Sequence, residues 1–239
     1  MTLYIIIPVY NAARYLPDAL NSIISEREKA TVDTQVVLIN DGSTDNSAEI
    51  CMDFVHAHPR VHYIYQANQG VSEARSTGLQ YIFERCDKDD WIGFLDADDI
   101  WHFDWASAIE EGLHSDSDVI GFGMAFADSK LNVSSVRLPD RKSLPGGFQA
   151  SLSENRKAHF GAYIYRCSLL QNHRISFIPK VTNGEDLIFK YEAFLCANRL
   201  PTIPRRCMYT AKTSTLLPAI IQGTHATTMM CFSWVGKVT

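Results

Sequence analysis

This sequence predicts a single α/β domain with a mostly parallel central sheet flanked by helices, and three observations support that. Short apolar runs of strand length alternate with segments of helical period through the first half of the chain. Polar residues gather where the runs stop, and in an open α/β sheet that edge faces the ligand crevice. The length of 239 residues, 46% hydrophobic and 21% charged, suits one large domain of this kind. A formal net charge of −5, with no basic stripe, argues against nucleic acid as a partner.

Strands are expected at 3–8, 35–40, 61–66, 91–95 and 119–126. Between them, Leu16, Leu20, Ile23 and Ile24 form one helical stripe, and Ile50, Phe54 and Val55 a second. Val71, Ala74, Gly78, Leu79, Ile82 and Phe83 form a third, and all three stripes read as core. Past about residue 127 the pattern loosens, with Leu138-Pro139 and Pro145-Gly146-Gly147 marking turns or a loop. The first strand begins without a charged leader or a signal-length apolar core, so a cytoplasmic protein is expected. Six scattered cysteines without a CxxC pair read as reduced thiols, which makes Asn132-Val133-Ser134 an idle sequon.

Several strand ends carry chemistry. Asp96-Ala97-Asp98-Asp99 follows the apolar run 91–95, so its carboxylates arrive together at a strand's carboxyl end. Hard cations such as Mg²⁺ and Mn²⁺ take oxygen ligands of this kind; the competing reading is an acidic turn capping a helix that starts near His102. The first strand runs into Pro8-Val9-Tyr10-Asn11, a turn in which Asn11 suits a helix cap. The second ends in Asn40-Asp41 before a glycine turn, where an amide and a carboxylate can read a nucleobase. Later, Glu185-Asp186 opens a helix whose apolar stripe is expected at Leu187, Tyr191, Phe194 and Leu195. Those acids either complement the helix dipole or serve acid–base chemistry.

Five ordered blocks resemble family 2 glycosyltransferases. They are 5–11 (IIIPVYN), 37–45 (VLINDGSTD), 68–75 (NQGVSEAR), 94–99 (FLDADD) and 183–186 (NGED). The resemblance covers about residues 3–215 and implies a GT-A, Rossmann-like fold, a nucleotide-sugar donor with uridine as first choice, a divalent metal (Mn²⁺ or Mg²⁺) and inversion at the anomeric carbon. It also implies a nucleotide-sugar half over 1–126 and an acceptor half over 127–215, and it leaves a tail over 216–239 that is uncharged as far as Gly236. Pro8, Tyr10 and Asp41 are placed around the base with Arg75 nearby, Asp96 at the ribose and Asp98 on the metal. Asp99 falls behind Asp98 as a support or helix cap. Asp186 becomes the general base, and Glu185 positions the acceptor or supports the base.

Two departures stand out. Ser76 follows Arg75 where the family often has Asn, and 209–214 matches poorly a family segment near the phosphates, with Lys212 its basic candidate. From Thr213 to Gly236 no charged residue occurs, yet the stretch is too interrupted to span a bilayer. It reads as a peripheral membrane contact for a lipid-linked acceptor, or as a tail packed on the domain or in an oligomer. The expected activity is sugar transfer from a nucleotide sugar to a saccharide or lipid-linked saccharide acceptor, in surface polysaccharide or glycolipid assembly. A nucleotidyltransferase and a non-catalytic sugar-nucleotide-binding protein are the alternatives.

Overall fold

The computed structural model describes residues 1–113, 116–127, 133–139, 142–145, 159–181 and 183–211. Its first four long strands are β1 (Thr2–Val9), β2 (Asp33–Asp41), β3 (Val61–Gln66) and β4 (Trp91–Phe94), paired in parallel in the order β3-β2-β1-β4. β1 lies inside this group, and Leu3, Ile5, Ile6, Ile7 and Val9 on both its faces are fully buried. A parallel pair needs a long crossover, which α1 (Leu16–Arg27), α2 (Ser47–Ala57) and α3 (Val71–Phe83) supply. α3 presses hard on the sheet: a Cβ on Gly78 would lie 2.8 Å from Ile6 Cγ2, so only glycine allows this approach.

Beyond β4 the sheet changes character. β9 (Tyr163–Arg166) joins β4 antiparallel, β6 (Val119–Ala127) joins β9 antiparallel, and β10 (Arg199–Ala211) runs parallel to β6. β5 (Ile100–Trp101) closes the path antiparallel to β10. β3, β2, β1, β4, β6 and β10 therefore share one direction, with β9 and β5 opposed. β7 (Val133–Arg137) pairs with β6 and β8 (Lys142–Pro145) with β10, both antiparallel. The helices of this region are α4 (Trp105–Leu113), α5 (Cys167–Asn172) and α6 (Glu185–Cys196), with a 3-10 turn at Phe160–Ala162. Phe94 ties the regions together, its ring centre 5.2–5.4 Å from those of Phe160, Phe177 and Phe189.

Several expectations are corrected. The acidic run does not cap a helix, because β5 intervenes and α4 begins only at Trp105, whose N–H bonds His102 O. α6 starts where expected but presents a different face: Phe189, Lys190, Ala193 and Phe194 are buried, while Leu187 and Leu195 are 45% and 51% exposed. The aromatic rings decide this, since Phe189 stacks on Phe177 at 4.4 Å and Phe194 meets Tyr163 at 5.1 Å. Cys86 and Cys167 form a disulfide across 81 residues, a separation that concealed the pair. Cys51, Cys196 and Cys207 are free thiols, as expected. Among the described residues no helix is long and apolar enough to cross a membrane. Asn132, Gly146-Gly147, Lys212 and the 216–239 tail lie outside the described residues.

Candidate active site

A cleft of about 540 Å³ opens where the parallel strands end. Pro8 and Val9 wall it from the end of β1 and Tyr10 from the turn after it, Asp41 from β2, Gly70, Ala74 and Arg75 from α3 and its approach, and Asp96 to Asp98 from the loop after β4. The crevice beyond the carboxyl ends of strands is where open α/β sheets bind ligands. Of the residues singled out in the sequence, Pro8, Tyr10, Asp41, Arg75, Asp96 and Asp98 line this cleft; Asp99, Glu185 and Asp186 do not.

Asp41 is buried, and both its oxygens are engaged. Oδ1 accepts from Gln66 Nε2 at 2.7 Å and Gln69 N at 2.9 Å, and Oδ2 accepts from Gly70 N at 2.8 Å. The carboxylate therefore folds the 68–70 loop against the cleft, and Gly70 at φ 94° makes that turn feasible. Asn40 is committed elsewhere: its amide donates to Tyr63 Oη and its Oδ1 accepts Ser43 N. Base reading by Asn40 is thereby corrected to turn-building. Asn11, in the left-handed region at φ 49°, accepts from Thr44 N at 2.8 Å, so it braces the loop before α2 instead of capping the helix that follows it.

Arg75 is 4% exposed and forks between two regions of the chain. Nη2 meets Asp96 Oδ1 at 2.7 Å, Nη1 meets Glu185 Oε1 at 3.0 Å, and the guanidinium lies 4.5 Å from the ring centre of Phe160. A planar fork with five donors suits two carboxylates at once. Ser72 Oγ donates to Val181 O at 2.8 Å, and Ser76 Oγ reaches Phe177 O at 3.5 Å. The serine that departs from the family pattern thus helps fasten α3 to the segment leading into α6.

The acidic loop has the donor chemistry for a hard cation. One oxygen each from Asp96 and Asp99 and one ring nitrogen of His159 lie within 4.8 Å of one another. Asp99 is buried, with Thr210 Oγ1 at 3.5 Å from its Oδ2, whereas Asp98 faces the cleft. Burial, followed by the neighbouring Asp96 charge, raises the Asp98 carboxyl above its ordinary value. A cation would relieve that crowding, so the residues fit a divalent metal. His159 Nε2 is 3.8 Å from Asp96 Oδ2, while Nδ1 accepts from Gly161 N at 3.3 Å. That bond puts the neutral ring's proton on Nε2, so ligation there requires the tautomer to change. The carboxylates are the ready ligands.

At the start of α6, Asp186 Oδ1 accepts its own helix's Leu187 N at 2.8 Å. Its charge acts on three groups: it counters the burial that depresses His159 and Lys190, and it adds to the burial that raises Tyr165. His159 and Lys190 are the residues near the site that sequence reasoning passed over. His159 lies in none of the five blocks, and a lysine on a helix reads as a solvated charge until its face is known.

A profile of Glycosyl transferase family 2 matches residues 4–172. The uncharacterized glycosyltransferase EpsJ of Bacillus subtilis is 27% identical over 203 residues, 82% of this chain and 57% of that protein. Glycosyltransferase GlyA of Streptococcus pneumoniae is 45% identical over 92 residues, 37% of this chain and 13% of that protein. The chain thus spans a little over half of EpsJ and a small part of GlyA. Among solved structures, Staphylococcus aureus TarS 1-349 in complex with UDP-GlcNAc superposes with a TM-score of 0.69 at 21% identity, over 94% of this chain and 62% of that one. The mannosyltransferase PcManGT of Pyrobaculum calidifontis, in complex with GDP-Man and Mn²⁺, gives 0.61 at 16% identity over 99% and 65%. The fold is therefore GT-A, and with the profile running from β1 to the end of α5, the chain belongs to glycosyltransferase family 2.

Proposed function

We propose that the chain carries the catalytic domain of an inverting glycosyltransferase, moving a sugar from a UDP-sugar to a hydroxyl of a saccharide or lipid-linked saccharide. Surface polysaccharide or glycolipid assembly on the cytoplasmic side of a membrane is the setting. The observation behind this reading is one cleft with Asp41 and the Asp96–Asp98 carboxylates on its walls, fastened through Arg75 to the helix that bears Asp186. The TarS structures with UDP and UDP-GlcNAc, and PcManGT with GDP-Man and Mn²⁺, support the choice of ligand class.

In this reading Pro8, Tyr10 and Asp41 receive the base, with Arg75 close by, and Asp96 faces the ribose. Asp98 would hold Mn²⁺ or Mg²⁺, backed by Asp96 and Asp99. When bound, that cation supplies neutralisation of the charge gathering on the departing diphosphate. The acceptor oxygen attacks the anomeric carbon as the bond from that carbon to the phosphate oxygen breaks, with the electron pair leaving on UDP. Asp186 takes the acceptor's proton, and Oδ2 is its available oxygen because Oδ1 is occupied by Leu187 N–H. Glu185, held by Arg75, fixes the first turn of the helix on which Asp186 rides.

A screen of nucleotide sugars with Mn²⁺ tests the reading, measuring thermal stabilisation and nucleoside diphosphate release together. UDP-sugars are expected to stabilise the protein and release UDP. Stabilisation by nucleoside triphosphates with pyrophosphate release would replace this reading with nucleotidyl transfer.

A further inference from the structure

Asp41 and Gln66 are register partners at the ends of β2 and β3, so their side chains leave the sheet from the same face. Gln66 Nε2 donates to Asp41 Oδ1 at 2.7 Å, and Gln66 Oε1 accepts from Thr77 Oγ1, on α3, at 2.6 Å. The carboxylate fixes the direction of this chain. An ionised carboxylate only accepts, so the amide turns its NH₂ to Asp41 and its oxygen to Thr77, whose hydroxyl then donates. Asp41 lines the cleft, whereas Gln66 and Thr77 stand behind it.

A carboxylate offers about four acceptor sites, shared equally between its oxygens. Among the described residues, Gln66 Nε2 and Gln69 N fill those of Oδ1, and Gly70 N takes one on Oδ2. The capacity left for a ligand is therefore a single site, on Oδ2. Nucleobases differ in what they bring to such a site. Uracil carries one donor, N3–H, set between two carbonyls. Guanine carries N1–H beside its 2-amino group, a pair of donors that engages both oxygens of a carboxylate at once. With Oδ1 filled, that paired contact is closed, while the single bond to uracil stays open. Buried polar groups discriminate strongly when one ligand satisfies them and its rival does not.

We propose that Gln66, held by Thr77, is a positioning residue that sets which base the donor carries: by occupying Asp41 Oδ1 it limits the carboxylate to one ligand donor and so selects uracil over guanine. This rests on the reading of Asp41 as a residue that receives the base. Gln66 touches no part of the donor in this scheme and acts through Asp41 alone.

The test is calorimetry of UDP and GDP with Mn²⁺ on the full chain as wild type, Gln66→Leu, Thr77→Val, Thr77→Ser and Asp41→Ala, each checked for folding by circular dichroism. Wild type is expected to bind UDP at least ~10-fold more tightly than GDP, the worth of one hydrogen bond to a charged group. Gln66→Leu keeps the bulk of the side chain but frees Oδ1. Its UDP affinity should fall while its GDP affinity holds or rises, narrowing the UDP-to-GDP ratio by about tenfold. Thr77→Val keeps the shape and removes the hydroxyl that holds the amide, so it should narrow the ratio in the same direction by less. Thr77→Ser should restore the wild-type ratio. A purely structural role would weaken both nucleotides in proportion, so an unchanged ratio in Gln66→Leu overturns the proposal, as does a wild type without preference for UDP. Should Gln66→Leu not fold, an unchanged ratio in Thr77→Val overturns it. Wild-type UDP binding by Asp41→Ala overturns the base reading of Asp41 instead.

Discussion

Arg75 Nη1 lies 3.0 Å from Glu185 Oε1, a contact between residues 110 apart in sequence that joins the cleft-lining helix α3 to the start of α6. The same guanidinium binds Asp96 at 2.7 Å, so one buried cation sets the spacing between two acidic motifs. Removing one member of a buried ion pair costs about 3–5 kcal/mol, because the remaining charges lose their partner. Arg75→Met is expected to lose about 3 kcal/mol in urea unfolding, the lower end because Asp96 is partly exposed. Arg75→Lys keeps the charge without the fork and should fall between Met and wild type. Wild-type stability in Arg75→Met would show that the two acids do not depend on it.

For the cation, Asp98→Asn should weaken Mn²⁺-dependent UDP binding by at least ~10-fold, read from thermal shifts across a Mn²⁺ titration. Asp99→Asn should have the smaller effect. The reverse ranking would move the cation to the Asp96, Asp99 and His159 group. Undiminished turnover in excess chelator would remove it from the scheme.

Asp41→Ala affects two properties. From sequence alone the loss falls on the donor, but the buried carboxylate also accepts the Gln69 and Gly70 N–H groups. An unmet buried donor costs about 1–3 kcal/mol, so the variant should lose stability as well as UDP affinity. Calorimetry with UDP, on protein checked for folding, separates the two. Unchanged UDP binding would leave Asp41 with the loop alone.

His102 predicts an acid-sensitive stability. It is 7% exposed and stacks on Tyr209 at 5.4 Å, and burial, followed by the charges of Arg206 and Arg205, lowers its pKa from 6.5 to about 3. The unfolded chain therefore binds the extra proton throughout that window. Stability is fully present above pH 6.5 and is lost as the pH falls towards 3. His102→Phe keeps the stacking without a titrating group. The stability difference between wild type and His102→Phe should move against wild type from pH 6.5 downwards, by about 1.4 kcal/mol per unit at most. A flat difference in urea unfolding across that range would refute it.

Much of the fold can be read directly because β1, β2, β4 and β6 are built on apolar runs bounded by turn residues, and the expected ends of these strands and of β3 fall within two residues of those observed. β5 has two residues, too few to show a period, and β9 depends on β4 and β6 as neighbours, which no local pattern announces. The face of α6 was misjudged because leucine and phenylalanine stripes compete on that helix, and the winner is set by Phe177 and Tyr163 from elsewhere. The cleft's acids were legible as motifs, but their connections were not. Asp41's bonds to the 68–70 loop and Arg75's fork emerge only when distant segments meet.

α3 presses on β1 through Gly78, holds Asp96 and Glu185 through Arg75, and reaches Phe177 and Val181 through Ser76 and Ser72. A helix fastened on both sides leaves no hinge between the segments it joins. Opening and closing around substrates would then fall to surface loops, with Asp41, Asp96 and the α6 start forming a fixed frame. The donor would meet a pocket whose walls are already in place, and little of its binding energy would be needed to assemble them.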